Sequence, residues 1–573
     1  MSLDGYRGSK VDTNWWLEQI KHGEEFRKKF AYEQQWQTWR SYYRGNWADD
    51  IMPLNLFYTY MRTIVPRIYF RDPTISISPT KPGLENMMFA RIMERIDTKL
   101  LKNMKFKRVM KSTVQDAFLL GTGIAKLGFG GFYSPTIMDD YPGAPTDNRG
   151  FEVEHHNTES MMPWVAKTNP GNFVVPYGTK WLDHSRWVAE KIVRPISDIQ
   201  RDPRFTNTAG LKSFDVDGSR MAAGSIVRPI KVANLYEIRD TYTGKVFVLA
   251  PDHSKDNKLI YEGADLFLTS YGGFPYFLNT FNEDDEAVWG LPDSKILEYY
   301  QLEINEIKTQ IQRHRRLSLV KILIKDKAMS ESEAEKLVSE DVGAVAFIRG
   351  QGDIRSNVLY TNSTIPRELF VAADTLMQDT RESLGFSRNE FGEFNSRSGD
   401  TTATEANIVK MASEIRIDER RDGLADSVVD FVKMMHGVVL DNWGDEQVVD
   451  LIGPGGVQVW LRVRGESLRK NKFSIKVDPD TAIPETRASR EQRAIQLYQF
   501  LSANPLIDPI KLTQYLLHEM KGPQFDDIMK MLPGVNGAGD RPIEVSDFGN
   551  MLQQSISNAG AQNVSLPNAM PQG

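Results

Sequence analysis

The chain has no cysteine in 573 positions. That absence excludes disulfides, thiolate nucleophiles, zinc knuckles and iron–sulfur clusters built from its own residues. It fits a protein of a reducing compartment, or one that must persist outside a cell without redox chemistry. No apolar run approaches the ~20 residues that span a bilayer. Residues 1–16 show no apolar stretch of the kind a secretion signal needs, so membrane and secreted classes are not expected. A strong charge of one sign is also missing. With 76 Asp and Glu against 70 Lys and Arg, the formal charge is −6. Domains that coat nucleic acid by bulk charge are usually basic, but an average does not exclude a local basic surface.

Charged residues at 25%, hydrophobic at 40% and aromatic at 10% are ordinary for a folded chain. At this length one core is not expected. Several domains or one elongated multi-part subunit fit better.

Residues 14–44 read as helical and rich in rings, with Phe26 and Phe30, and Trp39 and Tyr43, four apart on a helix face. Such rings form a packed core or subunit interface more readily than a base-stacking platform. A short helix over 54–64 follows, ended by Pro66, then an extended run over 74–79. Met88, Ile92, Ile96, Leu100 and Met104 give an amphipathic helix over 84–105. A second helix over 107–120 ends at Gly121, suited to a left-handed cap. Residues 124–200 read as strands and turns punctuated by proline. A polar loop is expected over 201–228, and a hairpin over 232–249 turning at Thr243 and Gly244.

From Pro292 the texture changes to long helices. Ile296, Tyr300, Ile304, Ile307 and Ile311 make a narrow stripe on a helix reaching Arg316, 25 residues or about 37 Å. The insert 318–362 reads strand (319–324), helix (330–339, with a Ser330–Glu333 capping box), strand (344–348) and polar turns. A helix over 366–384 ends at Gly385, and a polar loop occupies 387–400. A capping box at Thr402 and Glu405 starts a helix running toward Trp443, with a kink expected at Gly423. Two alternating strands over 457–463 and 473–477 and helices over 486–503 and 508–520 precede a tail, 533–573. Its Gly, Pro, Asn, Gln, Ser and Ala content is too polar to order itself.

Motifs for chemistry are incomplete. Gly171 to Lys180 imitates a phosphate loop, but the spacing is too long and no helix is expected after it. His518-Glu519 begins like a zinc-protease helix, yet Gly522 stands where the second histidine belongs. His155 and His156 beside Glu152, Glu154 and Glu159 read more readily as a charged loop than as a metal site. Asp215, Asp217 and Gly218 lack the rest of a calcium loop. No nucleophile elbow is present. The expectation is therefore a non-enzyme with no cofactor and no metal or catalytic residues.

One electrostatic feature stands apart. Residues 308–327 hold Lys308, Arg313, Arg315, Arg316, Lys321, Lys325 and Lys327 against Asp326 alone, a local +6. Cations at a helix C-terminus complement its dipole, which accounts for some of them. The functional reading is a patch facing a polyanion.

The order of long helix, small α/β insert, second helix, polar loop and long helix resembles the portal proteins of tailed double-stranded DNA bacteriophages. PLNLFYTYMRTIVP (53–66), QDAFLLGTGIAK (115–126), NPGNFVVPYGT (169–179) with WVAEK (187–191), and TTATEAN (401–407) are similar to successive stretches of that family. Together these stretches and their order carry the likeness over roughly 30–525.

The resemblance implies an α+β subunit that closes into a dodecameric ring at one capsid vertex, around a channel for genome packaging and ejection. Residues 1–44 would be an aromatic-rich N-terminal helix and 45–291 the first part of the wing. Stem helices would be 292–316 and 366–386, joined by a clip at 317–365. The channel loop would be 387–400. Residues 401–485 would hold the long kinked helix and further wing strands, 486–532 a helical crown, and 533–573 a flexible tail.

The same resemblance implies partners: double-stranded DNA passing non-specifically, the terminase packaging motor, head–tail connector and adaptor proteins, and major capsid and scaffolding proteins. No membrane is implied. The location would be the portal vertex of the virion, after assembly in host cytoplasm. DNA-channel candidates are Lys308, Arg313, Arg315, Arg316, Lys321, Lys325, Arg388 and Arg397. In the channel loop, Asn389, Glu390, Phe391 and Phe394 stand out. The alternatives are another head–tail connector or minor capsid component and, from a different class, a DNA-processing enzyme of the packaging machinery.

Overall fold

A computed structural model describes residues 4–8, 10–69, 74–79, 84–138, 151–157, 162–216, 230–317, 321–324, 330–332, 335, 358–361, 365–385, 403–442, 447–452, 458–463, 473–478, 495–501 and 543–544. The protein is a mixed α and β structure with several sheets. Helices among the described residues include α1 (Thr13–Phe30), α2 (Trp36–Arg44), α3 (Leu56–Ile68), α4 (Leu84–Asn103), α5 (Phe106–Leu120), α6 (Ile196–Arg201), α7 (Leu266–Ser270), α8 (Asp293–Leu317), α9 (Arg367–Leu384) and α10 (Ala403–Asn442). The chain divides into two compact units. The first takes 1–37, 62–292 and 414–573, and the second 38–61 and 293–413.

The first unit is built on a large sheet ordered Leu259–Ala264, Lys245–Leu249, Ile230–Asp240, Trp187–Pro195, Phe151–Asn157 and Phe132–Met138. Period-two alternation divides its central strand. Tyr236 and Ile238 face α1, where Trp16 is buried among Trp187, Phe247 and Leu249. Ala233 and Leu235 face the other way, packing with Ile192, Ile199, Val248 and Ile260. The Trp16 indole N–H donates to the Gly5 carbonyl at 3.0 Å, so a ring of that size is buried without stranding its polar atom.

A three-stranded sheet, Tyr276–Thr280, Thr122–Phe129 and Pro163–Thr168, carries α5 against it. Gly121 caps α5 at φ 87°, and a Cβ there would meet the Gly290 carbonyl oxygen at 2.1 Å, so both conformation and space require glycine. The hairpin at Thr243-Gly244 forms as expected, with Ile238 opposite Phe247 and Gly244 at φ 63°.

Within the second unit, α8 and α9 pack together, and the Tyr300 and Ser383 hydroxyls hydrogen-bond. That contact joins the first third of α8 to the last turn of α9, so the helices run antiparallel. Between them in sequence, Lys321–Ile324 pairs antiparallel with Val358–Thr361.

Several expectations are corrected. The helix expected over 14–44 is two. Tyr32 takes a left-handed conformation between them, and Arg27 closes the break through its guanidinium to Glu33 at 2.9 Å and the Phe173 carbonyl at 2.8 Å. Pro66 does not end α3 but lies in its last turn, where buried Ile64, Val65 and Ile68 hold the helix on course. The strand pairing with Lys321–Ile324 is Val358–Thr361, in a stretch read as polar turns; 344–348 lies outside the described residues. In the stretch read as a loop over 201–228, Phe214–Val216 forms a strand pairing with Ile230–Val232. The helix expected from Thr402 forms as one element over 403–442, with Gly423 inside it.

Gln447–Ile452, absent from the sequence reading, pairs with Gln458–Val463, and Phe473–Asp478 pairs with Thr74–Pro79. In the tail, Ile543–Glu544 joins Leu461–Arg462 in parallel, and the rest lies outside the described residues. The imitation phosphate loop contains a 3-10 turn at Pro170–Asn172, and after Lys180 comes one further 3-10 turn, Leu182–His184, and then the strand Trp187–Pro195. His155 and His156 lie on a strand opposite Ser134 and Tyr133, not in a loop.

Candidate nucleic-acid interface

The basic segment begins on α8, and the sequence of that helix explains how it is held. Its apolar residues Leu297, Ile304 and Ile307 are buried, as the stripe anticipated in part, while Ile296, Tyr300 and Ile311 are only half-buried. A second stripe of polar residues, Gln301, Asn305 and Thr309, spaced by four, is buried as deeply. These three side chains satisfy the backbone of an extended segment over 52–56. Thr309 Oγ1 accepts the Met52 N–H at 2.9 Å, Asn305 Oδ1 the Leu54 N–H at 3.0 Å, and Gln301 Oε1 the Leu56 N–H at 2.7 Å.

Gln301 Nε2 also donates to the Leu54 carbonyl at 2.8 Å and to Asn305 Oδ1 at 2.9 Å. The geometry matches because every second residue of an extended chain advances about 6.6 Å, and every fourth residue of a helix about 6 Å. Nearer the start of α8, the Trp39 indole N–H donates to Glu298 at 3.0 Å, and the Tyr42 ring stacks on Trp47 with centroids 4.6 Å apart. The helix is thus pinned at four positions over about three turns before its basic end.

At that end, Arg313, Arg315 and Arg316 are exposed, and with His314 they occupy the last two turns. At about 100° per residue, Arg313 and Arg316 lie some 60° apart and Arg315 on the far side. The arginines therefore ring the helix end and do not share one face. Arg313 approaches Asp50 at 3.6 Å with both side chains mostly exposed, a pair of little energetic weight. Lys308 is half-buried and lies about 7.5 Å or more back along the axis. Lys321 is on the strand beyond α8, opposite Thr361. Lys325, Arg388, Arg397 and the loop residues Asn389, Glu390, Phe391 and Phe394 lie outside the described residues. The structure thus brings three of the eight channel candidates together.

A buried charge network in the first unit has no counterpart in the sequence motifs. Glu190 and Glu237 are directly opposite on neighbouring antiparallel strands, an unfavourable placement for like charges. Lys126 lies between them, its ammonium donating to Glu190 and to Glu237 at 3.1 Å. Tyr276 and Thr168 hydroxyls complete Glu190 at 2.8 and 3.0 Å, which ties the small sheet to the large one. Arg239 joins Glu237 at 2.9 Å and also binds Asp265.

Burial alone would raise the pKa of Glu237, but Lys126, Arg239 and Arg194 outweigh it and hold the carboxyl well below the usual range. Burial and the nearby Glu190 push the Tyr276 phenol well above its usual value, so it stays a donor. The available signal was a lysine and two glutamates within otherwise apolar strand patterns; their meeting across two sheets has no local spacing.

No family model matches the chain, and no curated protein matches it.

Proposed function

We propose that the chain is a portal-type subunit that closes into a ring around a channel for double-stranded DNA. The observation that carries this reading is the order of elements in the second unit. A 25-residue helix leads to a paired-strand insert, and a second helix returns antiparallel along the first. The 40-residue α10 follows. Three arginines surround the first helix where it meets the insert. A conduit must pass a polyanion with one charge per ~1.7 Å without gripping it. A few cations within a chain of net charge −6 fit weak, non-specific contact with phosphates, and base readout is unnecessary.

Ring closure needs a heterologous interface between copies. Tyr299, Leu302, Phe370 and Val371 on α8 and α9 expose apolar surface that such an interface would cover. In this reading 317–365 docks the packaging motor during filling and connector proteins afterwards. The site is one capsid vertex, and no cofactor takes part. The test is native mass spectrometry of the purified chain across salt concentrations. A discrete closed oligomer, twelve-fold by this reading, is expected. A monomer under all conditions, or metal-dependent cleavage of DNA, contradicts it.

A further inference from the structure

A cavity of about 180 Å³ lies within the first unit, beside the Lys126 network. Its wall carries five cationic side chains, Lys126, Lys167, Arg194, Arg204 and Arg239, against two carboxylates, Glu190 and Glu237. Three further carboxylates hold these cations but do not line the space. Asp265 pairs with Arg239, Asp202 with Arg204 at 2.6 Å, and Asp116 with Lys167 at 2.9 Å. Cations therefore face the cavity, with much of their compensating charge behind them.

Lys126, Arg194 and Arg239 are at least nine-tenths buried, so water screens their field only weakly. That field is visible in Glu237, whose carboxyl stays well below its usual range despite burial. Arg204 and Lys167 are more exposed, at 52% and 28% of their side chains, and stand at the mouth. The volume is below the ~300 Å³ where pockets for drug-sized ligands begin, yet holds several times the ~30 Å³ share of one water.

We infer that this cavity binds a small tetrahedral oxyanion of the inorganic phosphate class. Arg204 gives its fork to Asp202, and Arg239 divides its terminal nitrogens between Asp265 and Glu237, so the ion would share charge-assisted donors with these carboxylates. A cavity of this size admits one oxyanion and no nucleoside.

The test is thermal unfolding of the full chain in sodium phosphate against sodium chloride of equal ionic strength, with isothermal titration of phosphate as the second measurement. A ligand at free concentration L that binds only the folded state stabilises it by RT ln(1 + L/Kd), so the midpoint keeps rising as ligand exceeds Kd. A rise of about 2–4 °C is expected at phosphate well above its dissociation constant, with one site per chain by titration. Arg204→Gln and Lys167→Gln should each lower the midpoint in chloride, because the buried Asp202 and Asp116 lose their partners, and should remove most of the further rise that phosphate gives. An equal rise in chloride overturns the inference, as does an undiminished response in both variants. Stabilisation by a DNA oligonucleotide but not by inorganic phosphate also overturns it. If the variants fail to fold, wild-type titration decides, and no saturable binding up to about 10 mM phosphate counts against the site.

Discussion

Asn305 Oδ1 accepts the backbone N–H of Leu54 at 3.0 Å from a side chain that is 97% buried, given its 3% exposure. This bond is the middle rung of a ladder in which a helix replaces the partner strand that 52–56 lacks. It explains why a buried stripe of α8 is polar, and it sets the direction of the helix that ends in Arg313, Arg315 and Arg316.

Replacing Asn305 by leucine should destabilise the chain by about 1 kcal/mol, because the part-buried Leu54 N–H and the Gln301 amide lose their acceptor. Gln301→Leu should cost a similar amount, and the double variant should cost less than the sum, since the two side chains hydrogen-bond each other. Urea unfolding of the four proteins measures this. Strict additivity would show that the rungs act independently.

Lys126→Met leaves Glu190 and Glu237 opposed and buried. Removing one partner of a buried pair costs about 3–5 kcal/mol, so the variant should unfold at much lower denaturant. A loss below about 1 kcal/mol would mean that the glutamates are not held by the lysine.

The depressed pKa of Glu237 fixes the sign of a pH effect. A folded-state pKa below the unfolded one means that the group stabilises at pH above its ordinary 4.5, and that this contribution fades as pH falls through the folded value. The stability gap between wild type and Glu237→Gln should therefore narrow on acidification below about pH 4.5. Asp97, whose carboxyl burial raises despite its bond to His436, titrates in the opposite sense, and is common to both proteins, so their difference isolates Glu237. A gap constant from pH 7 to pH 3 would sink the assignment.

Replacing Arg313, Arg315 and Arg316 together by glutamine should leave assembly unchanged, because all three are exposed at a helix end. Under the proposed function it should reduce DNA packaged or retained per particle severalfold. Unchanged packaging would remove these residues from the DNA path. Deleting 387–400, proposed as the channel loop, should likewise leave assembly intact, and failure to assemble would reassign that loop to subunit contact.

Periodicity revealed the elements whose pattern is local. The boundaries of α8 and α5, and the turn at Gly244, follow from an apolar stripe, a glycine cap and a hairpin signal within a few residues. What escaped depends on distant partners. Gln301, Asn305 and Thr309 look like a solvated face until 52–56 is laid against them. Pro66 reads as a stop until the burial of Ile64, Val65 and Ile68 is known. Lys126, Glu190 and Glu237 are 64 and 47 residues apart in succession, and only sheet register joins them. For the basic segment, the count of charges was legible, whereas the exposed arginines and the half-buried Lys308 are separated by the helix they share.

The most direct test of ring assembly is negative-stain imaging of the purified full-length chain at low and physiological salt. Cogwheel-shaped rings with a central hole wide enough for duplex DNA are expected, unaltered by the triple arginine replacement. A homogeneous field of single subunits at both salt concentrations would contradict the account.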